Sequence, residues 1–382
     1  MIQELTIHFP GKLVFGKGSL SNLAAEVQQG SPENVLLVTI EPLLDSLQNL
    51  IEVLETSRIR VQVDTSIVQE PSFADFGKLM KTVKPFNPDV VLGIGGGSVL
   101  DVAKLVAAQL ENEQTLPEMV GIGNLSGRRK RLICVPATSG TGSEVSPNAI
   151  LVDESDNQKK GIISPFLVPD VVYVDPLLTL SVPSAITAAT GIDALTHCLE
   201  AYTNKFAHPF IDLYALEGMR LIAANIVQAV QNGADEEART QVAMGSLLGG
   251  FCLGPVNTAG VHALSYPLGS QFHLAHGLSN ALLLPYVMEF NTPAAVGRYA
   301  QVAIALGCGR SSTDDETAAN GIQKIKELIR DGGIPARLRD VGIPKEAIPQ
   351  MADDALKITR LLKNNPREIT RADAITIYTA AY

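Results

Sequence analysis

Positive charge is in deficit in this chain: of 382 residues, 30 are Lys or Arg against 40 Asp or Glu, for a formal net charge of −10. An acidic surface repels polyanions, so nucleic acid is not an expected partner. The only compact basic cluster, Arg128, Arg129, Lys130 and Arg131, precedes the apolar run LICV and reads as a solvated loop leading into a strand. Cysteine is scarce as well. Cys134, Cys198, Cys252 and Cys308 show no C-x-x-C spacing, which argues against a zinc ribbon or a dithiol redox site and fits a reducing compartment. Cys134 and Cys198 have apolar neighbours and read as small core residues. No segment reaches an uninterrupted membrane-spanning length, so no membrane partner is expected. The amino terminus, MIQELTIHFPGKLVFG, lacks the charged start and apolar core of a signal peptide, and a cytoplasmic protein is expected. Internal repeats and low-complexity segments are missing too.

What is present is enough hydrophobic residue, 46%, to fold, at a length that favours two domains. Up to about residue 180 short β-rich runs alternate with helical stretches: VLLV at 35–38, IRVQV at 59–63, VVLGI at 90–94, LICV at 132–135 and VVYV at 171–174. These runs are nearly all apolar rather than alternating, as parallel strands covered on both faces are. AILVD at 149–153 and GII at 161–163 read as an inserted β-hairpin. From Pro183 onward the periodicity turns helical, with helices expected around 184–203, 208–231, 235–253, 277–290, 293–306, 315–332, 345–364 and 370–381 and no convincing strand. The expectation is an α/β domain over 1–180 and a helical domain over 181–382.

Histidine is sparse, and its placement is informative. Of six histidines, His262, His273 and His276 fall in GVHALSYPLGSQFHLAHG and His197 in AITAATGIDALTHCLEAY. Asp193 and His197 are four apart in a segment that reads as helix, so both side chains project from one face. Such a pair is most often a local surface ion pair. Here it lies among Ile192, Ala194, Leu195 and Leu199, and buried ionisable groups need partners. The fourteen-residue spacing of His262 and His276 suits the end of one helix and the start of another across a glycine-containing bend. Asp193, His197, His262 and His276 together offer one carboxylate and three imidazoles, a donor set that tolerates Fe²⁺ or Zn²⁺.

VVLGIGGGSVLDVAKLVAAQL reads as strand, glycine cluster and helix in succession. Gly95, Gly96 and Gly97 let phosphate oxygens approach backbone N–H groups at a helix start. Ser98 and Asp101 also satisfy an S-x-x-D capping box, so part of the pattern is how a helix begins. Ser98 stands where the usual G-x-G-x-x-G pattern has its third glycine. A second loop, PATSGTGSEVSPNA, follows LICV and interleaves Thr138, Ser139, Thr141 and Ser143 with Gly140 and Gly142. Two such loops at strand ends of one sheet favour a nucleotide cofactor over two flexible connections.

With these residues together, the chain resembles the iron-containing (group III) alcohol dehydrogenase family over essentially its full length. GGGSVLDVAK at 95–104, PATSGTGSE at 136–144, ATGIDALTHCLEAY at 189–202 and the paired His262 and His276 come in the family's order and approximate spacing. The resemblance implies a Rossmann-like dinucleotide-binding α/β domain and a carboxy-terminal all-helical metal-binding domain, an architecture like that of dehydroquinate synthase. It also implies an active site in the cleft between them and a homodimer or larger homo-oligomer. Carried over by residue, Asp193, His197, His262 and His276 are the metal ligands, and Gly96, Gly97 and Ser98 cradle the pyrophosphate. Thr138, Ser139, Thr141, Lys160 and Leu178 are further cofactor contacts, with Lys159 competing for the place of Lys160.

Two departures bear on chemistry. Where many members have a second histidine, four residues after the first of the His262 segment, this chain has Tyr266, and it carries His273 instead. Tyrosine is a poor proton acceptor at neutral pH, which leaves Tyr266 and His273 as the candidate catalytic pair with the proton route open. In NAD-preferring relatives an aspartate follows the first nucleotide-domain strand; here VLLVT is followed by Ile40 and Glu41. Glu41 repels a 2′-phosphate if it points inward, and NADP is accepted if it points out. The activity implied is reversible hydride transfer between a small alcohol and NAD, with iron favoured by resemblance alone. Competing readings are a dehydroquinate-synthase-like lyase, a hydroxyacid–oxoacid transhydrogenase, and a non-catalytic nucleotide-binding protein.

Overall fold

The computed structural model describes residues 4–156 and 158–382. The chain divides into two compact units. One comprises His8–Thr138 and Ser143–Thr179; the other comprises Leu180–Tyr382 with Ser139–Gly142 and the described residues before His8.

Among its described residues the first unit holds nine strands: β1 (Lys12–Phe15), β2 (Asn34–Val38), β3 (Arg60–Asp64), β4 (Val90–Gly95), β5 (Gly121–Ile122), β6 (Arg131–Pro136), β7 (Asn148–Asp153), β8 (Gln158–Ile163) and β9 (Val171–Val174). Six form a sheet in the order β1-β9-β6-β4-β2-β3, all parallel. The apolar runs are explained by alternation between two cores. Leu36, Val38, Val91, Leu132 and Cys134 pack on one face, and Val35, Leu37, Val90, Leu92, Ile133 and Val135 on the other. β1 was not evident from its four residues, because it is an edge strand held by pairing with β9, far away in sequence. β7 and β8 form the expected antiparallel hairpin, joined by β5 into a small second sheet.

From β2 the chain steps outward to β3, then returns to place β4 on the other side of β2. The strand order therefore reverses between β2 and β4, and at such a switch point the carboxyl ends of adjacent parallel strands leave a crevice for a ligand.

The basic cluster is a correction. Arg128 forks onto Asp170 at 2.6 and 3.0 Å, Lys130 pairs with Glu111 at 2.7 Å, and Arg131 reaches Glu26 at 2.6 Å. Three of these four residues are thus tied into ion pairs rather than solvated, with partners too distant in sequence for a local pattern to show.

The second unit is helical, with no strand among its described residues. Its principal helices are Ser184–Thr203, Pro209–Gln231, Glu236–Leu253, Gly260–Phe272, His276–Asn291, Val296–Ala305, Asp314–Asp331, Ile348–Ala355 and Arg371–Ala381. The single helix expected at 345–364 is broken into short pieces, Lys345–Ala347, Ile348–Ala355 and Thr359–Leu362. Small residues let the first three long helices approach closely: a Cβ on Gly191 would lie 2.2 Å from Ile226, and one on Gly218 2.6 Å from Cys198. The helix carrying Asp193 and His197 is therefore almost wholly buried along its second half. Among the described residues, no helix is long and apolar enough to cross a membrane.

Candidate metal centre and nucleotide loops

Three helices of the second unit bring Asp193, His197, His262 and His276 together, with one potential ligand atom from each and all four atoms within 4.8 Å of one another. Asp193 and His197 project from successive turns of Ser184–Thr203. His262 lies in the first turn of Gly260–Phe272 and His276 opens His276–Asn291. His262 is thus at the start of its helix, not at the end as the sequence spacing suggested. Most of that helix lies between the two histidines, and the bend spans only His273 to Ala275.

Oδ1 of Asp193 stands 3.7 Å from Nε2 of His197, 3.5 Å from Nε2 of His262 and 3.8 Å from Nε2 of His276. A cation about 2.1 Å from each of four tetrahedral donors spaces them by roughly 3.4 Å. The donor spacing therefore fits a single divalent ion. Asp193, His197 and His262 are buried, whereas the His276 side chain is 29% exposed, so the open side of the centre lies beside His276. Gly277 permits this closeness: a Cβ there would sit 2.3 Å from the Ala189 carbonyl oxygen.

The electrostatics call for a positive charge. Burial works to raise the Asp193 carboxyl, but the imidazoles of His197, His276 and His262 overcome it and hold the group well below the usual carboxylate range. Burial works to lower His262, and Glu200 and Asp193 outweigh it, pushing the imidazole up to about 10. His197 is driven down by burial, against the pull of Asp193. The carboxylates thus favour positive charge in the centre, which a divalent cation would supply.

Two further residues complete the surroundings, and sequence reasoning missed both. Glu200 places Oε2 2.5 Å from His262 Nδ1 while Oε1 accepts the Val261 N–H at 2.6 Å. Asn280 donates through Nδ2 to Asp193 Oδ1 at 2.6 Å and lies 3.1 Å from His262 Nε2. The signal was available: Glu200 follows Asp193 by seven residues and Asn280 follows His276 by four, spacings that share a helix face.

In the first unit, β4 ends at Gly95 and the next helix, Gly97–Gln109, starts after Gly96, which carries no side chain to cap it. The proposed capping box does not form. Asp101 instead accepts from Ser143 Oγ at 2.5 Å and from the Ile150 N–H at 2.9 Å. Lys104, wholly buried, donates to the Ser146 and Asn148 carbonyls at 3.0 and 2.8 Å. Helix and second loop are thereby pinned together, and the helix's first N–H groups are left for another acceptor. Gly95 owes its lack of a side chain to packing, since a Cβ would lie 2.8 Å from Val99. At Gly96 a Cβ would meet only Thr138, at 3.6 Å, so the two loops adjoin there.

The remaining candidates fall in different settings. Thr138 belongs to the first unit, while Ser139 and Thr141 lie in the stretch that groups with the helical one. Lys160 is paired with Asp156 and Lys159 with Glu70. Leu178 is packed into the core of the first unit. Glu41 follows β2 on the switch-point side, and its Oε1 accepts from Thr65 Oγ1 at 2.8 Å. The Tyr266 ring lies 6.3 Å from that of His276. His273 is exposed and ends its helix in the left-handed conformation, φ 55°.

Comparison with known proteins identifies the family. The sequence profile described as iron-containing alcohol dehydrogenase matches residues 10–176, and that of the carboxy-terminal part of the Fe-containing alcohol dehydrogenase family matches residues 187–382. Long-chain-alcohol dehydrogenase 1 of Geobacillus thermodenitrificans is 39% identical over 98% of this chain and 96% of its own length. A crystal structure of 1,3-propanediol oxidoreductase superposes with a TM-score of 0.95 at 32% identity, covering 100% of both chains. That of an alcohol dehydrogenase from Oenococcus oeni does so at 0.94 and 29%, covering 99% of this chain and 100% of the other. The chain therefore belongs to the iron-containing alcohol dehydrogenase family, oxidoreductases that use a metal and a nicotinamide cofactor on CH–OH groups.

Proposed function

We propose that this protein interconverts a small alcohol and its aldehyde or ketone with Asp193, His197, His262 and His276 holding an Fe²⁺ ion and with NAD as hydride acceptor. The observation that carries the reading is the convergence of these four donors, three of them buried, on one point. When bound, the cation supplies Lewis acidity to an alcohol oxygen and the nicotinamide accepts the hydride. The chain's own residues bind and orient. The three imidazoles and the carboxylate fix the cation, and the partial exposure of His276 leaves one side for the substrate oxygen. The donor set contains no thiolate, so it also accepts Zn²⁺; iron is preferred on family grounds.

For the cofactor, the uncapped helix start at Gly96, Gly97 and Ser98 supplies pyrophosphate donors, with Gly95 setting their approach to the sheet. Thr138, Ser139, Thr141, Lys160 and Leu178 complete the proposed contacts. Glu41, at the switch point and fixed by Thr65, disfavours a 2′-phosphate, which is why NAD is preferred over NADP. Tyr266 shapes the substrate side near His276, and the alcohol proton leaves through solvent or His273. Four free cysteines, three of them buried, suit a cytoplasmic setting, and a homodimer or larger homo-oligomer is proposed from the family.

The test is anaerobic reconstitution with Fe²⁺ or Zn²⁺, followed by NADH and NADPH oxidation against a panel of aldehydes and ketones. Metal-dependent turnover with NADH is expected, and Asp193→Ala should lose most of both metal and activity while keeping its helical circular dichroism. Full metal occupancy and normal turnover in that variant would refute the assignment.

A further inference from the structure

We infer that Glu200 sets the tautomer of His262, keeping its proton on Nδ1 so that Nε2 presents a lone pair to the cation. The inference rests on the metal-centre reading above and deepens it. Glu200 lies on the helix that carries Asp193 and His197, is 3% exposed, and uses both oxygens. Oε1 takes the N–H of Val261, one of the first N–H groups of Gly260–Phe272, a helix whose own N-cap residue, Ala259, has no side chain to offer them. Oε2 faces His262 Nδ1. A carboxylate so engaged only accepts, so Nδ1 must donate.

The opposite side of the ring gives an independent indication. The amide nitrogen of Asn280 stands 3.1 Å from His262 Nε2, a donor facing the atom that must carry the lone pair. Acceptor at Nδ1 and donor at Nε2 select the same tautomer. Charge points the same way. Asp193 and Glu200 supply two negative charges to a centre enclosed by apolar helices, which matches a divalent cation and leaves the buried group neutral. A carboxylate behind a ligating imidazole also strengthens it as a donor.

Glu200→Gln distinguishes this role from packing, since it preserves shape and removes the charge. With its oxygen on Val261 N–H, the glutamine amide would donate to Nδ1 and drive the imidazole proton onto Nε2, the atom needed for the metal. With the amide turned round, two N–H groups would face each other at Val261. Either arrangement opposes coordination.

The experiment measures Zn²⁺ affinity of the full-length protein by chelator competition, alongside the melting temperature of the metal-free form. Glu200→Gln should weaken Zn²⁺ binding by about 10- to 100-fold, and more than it alters metal-free stability. A folded variant within threefold of wild type overturns the inference. Nitrogen-15 spectra of the zinc-loaded wild type decide the case even if the variant does not fold. A proton on His262 Nδ1 with Nε2 coordinated supports the inference; a proton on Nε2, or coordination through Nδ1, overturns it. If the wild type binds no zinc at all, the metal-centre reading falls and takes this one with it, whereas the other contrary results remove only the role of Glu200.

Discussion

Replacing Glu144 by glutamine should stabilise this protein above neutral pH and do little in acid. Glu144 ends the PATSGTGSE segment and is 3% exposed. Burial pushes its carboxyl up from the ordinary 4.5 to about 7, outweighing its own backbone N–H and the charge of Lys104. The folded state therefore holds a proton that the unfolded chain releases near 4.5. Between 4.5 and about 7 the unfolded state binds fewer protons, so stability is full below the first value and is lost as pH rises through the second. At about 1.36 kcal/mol per unit the loss is on the order of 3 kcal/mol. Glutamine has nothing to ionise and escapes it. For a unit of this size, 1 kcal/mol shifts the melting temperature by roughly 2–4 °C. The variant's advantage over wild type should thus be larger at pH 8 than at pH 4.5 by about 5 °C or more. Circular dichroism melts of metal-free, nucleotide-free protein at the two pH values provide the measurement. The competing possibility is that ionised Glu144 is a working partner of Lys104. Lys104 is already satisfied by the Ser146 and Asn148 carbonyls, which argues against it. A variant less stable than wild type at pH 8, or an advantage equal at both pH values, would refute the reasoning.

Four other substitutions test separate parts of the site. Gly97→Val should raise the dissociation constant for NADH at least tenfold, read by fluorescence titration, with metal content unchanged, because a branched side chain would crowd the uncapped helix start. Gly277→Ala should cost about 1–3 kcal/mol and weaken metal binding together, since its Cβ would lie 2.3 Å from the Ala189 carbonyl oxygen and 3.3 Å from Asp193 Cβ. A melt of the metal-free variant matching wild type would count against it. Tyr266→Phe should change substrate preference more than turnover, while His273→Ala should lower turnover. Unchanged turnover in His273→Ala with its loss in Tyr266→Phe would make the tyrosine the acid–base group.

Local periodicity made the four donors readable, because Asp193 and His197 are a helical turn apart and histidine is otherwise rare. It also located the central strands, whose apolar runs follow from cores on both faces. What escaped was fixed by partners remote in the chain. Asp101 read as a cap until Ser143, forty-two residues on, was seen to claim it. The arginine cluster read as solvated because Asp170 and Glu26 are invisible to a local window. Glu200 went unremarked inside a recognised motif, although its register with Asp193 was visible, because nothing in sequence says that Val261 and His262 face it.

The same distinction separates the glycines of the motifs by role. Gly95 is small because Val99 packs against it, and Gly140 because Thr190 stands 2.6 Å from where its Cβ would be. Gly142 combines a left-handed backbone, φ 62°, with a 2.4 Å approach to Gly250. These positions make the packing that holds the loops, so alanine there should first cost stability. Gly96 is different: its Cβ would make only ordinary contact, at 3.6 Å with Thr138, and it follows the strand end at the switch point where no side chain caps the next helix. A methyl group at Gly96 costs the fold little and stands beside the N–H groups assigned to the pyrophosphate. Alanine there should therefore weaken NADH binding without a matching loss of melting temperature, whereas at Gly140 or Gly142 the melting temperature falls first. If Gly96→Ala lowered stability as Gly142→Ala does and left NADH affinity unchanged, the glycine cluster would be a packing device throughout and the dinucleotide would have to bind elsewhere.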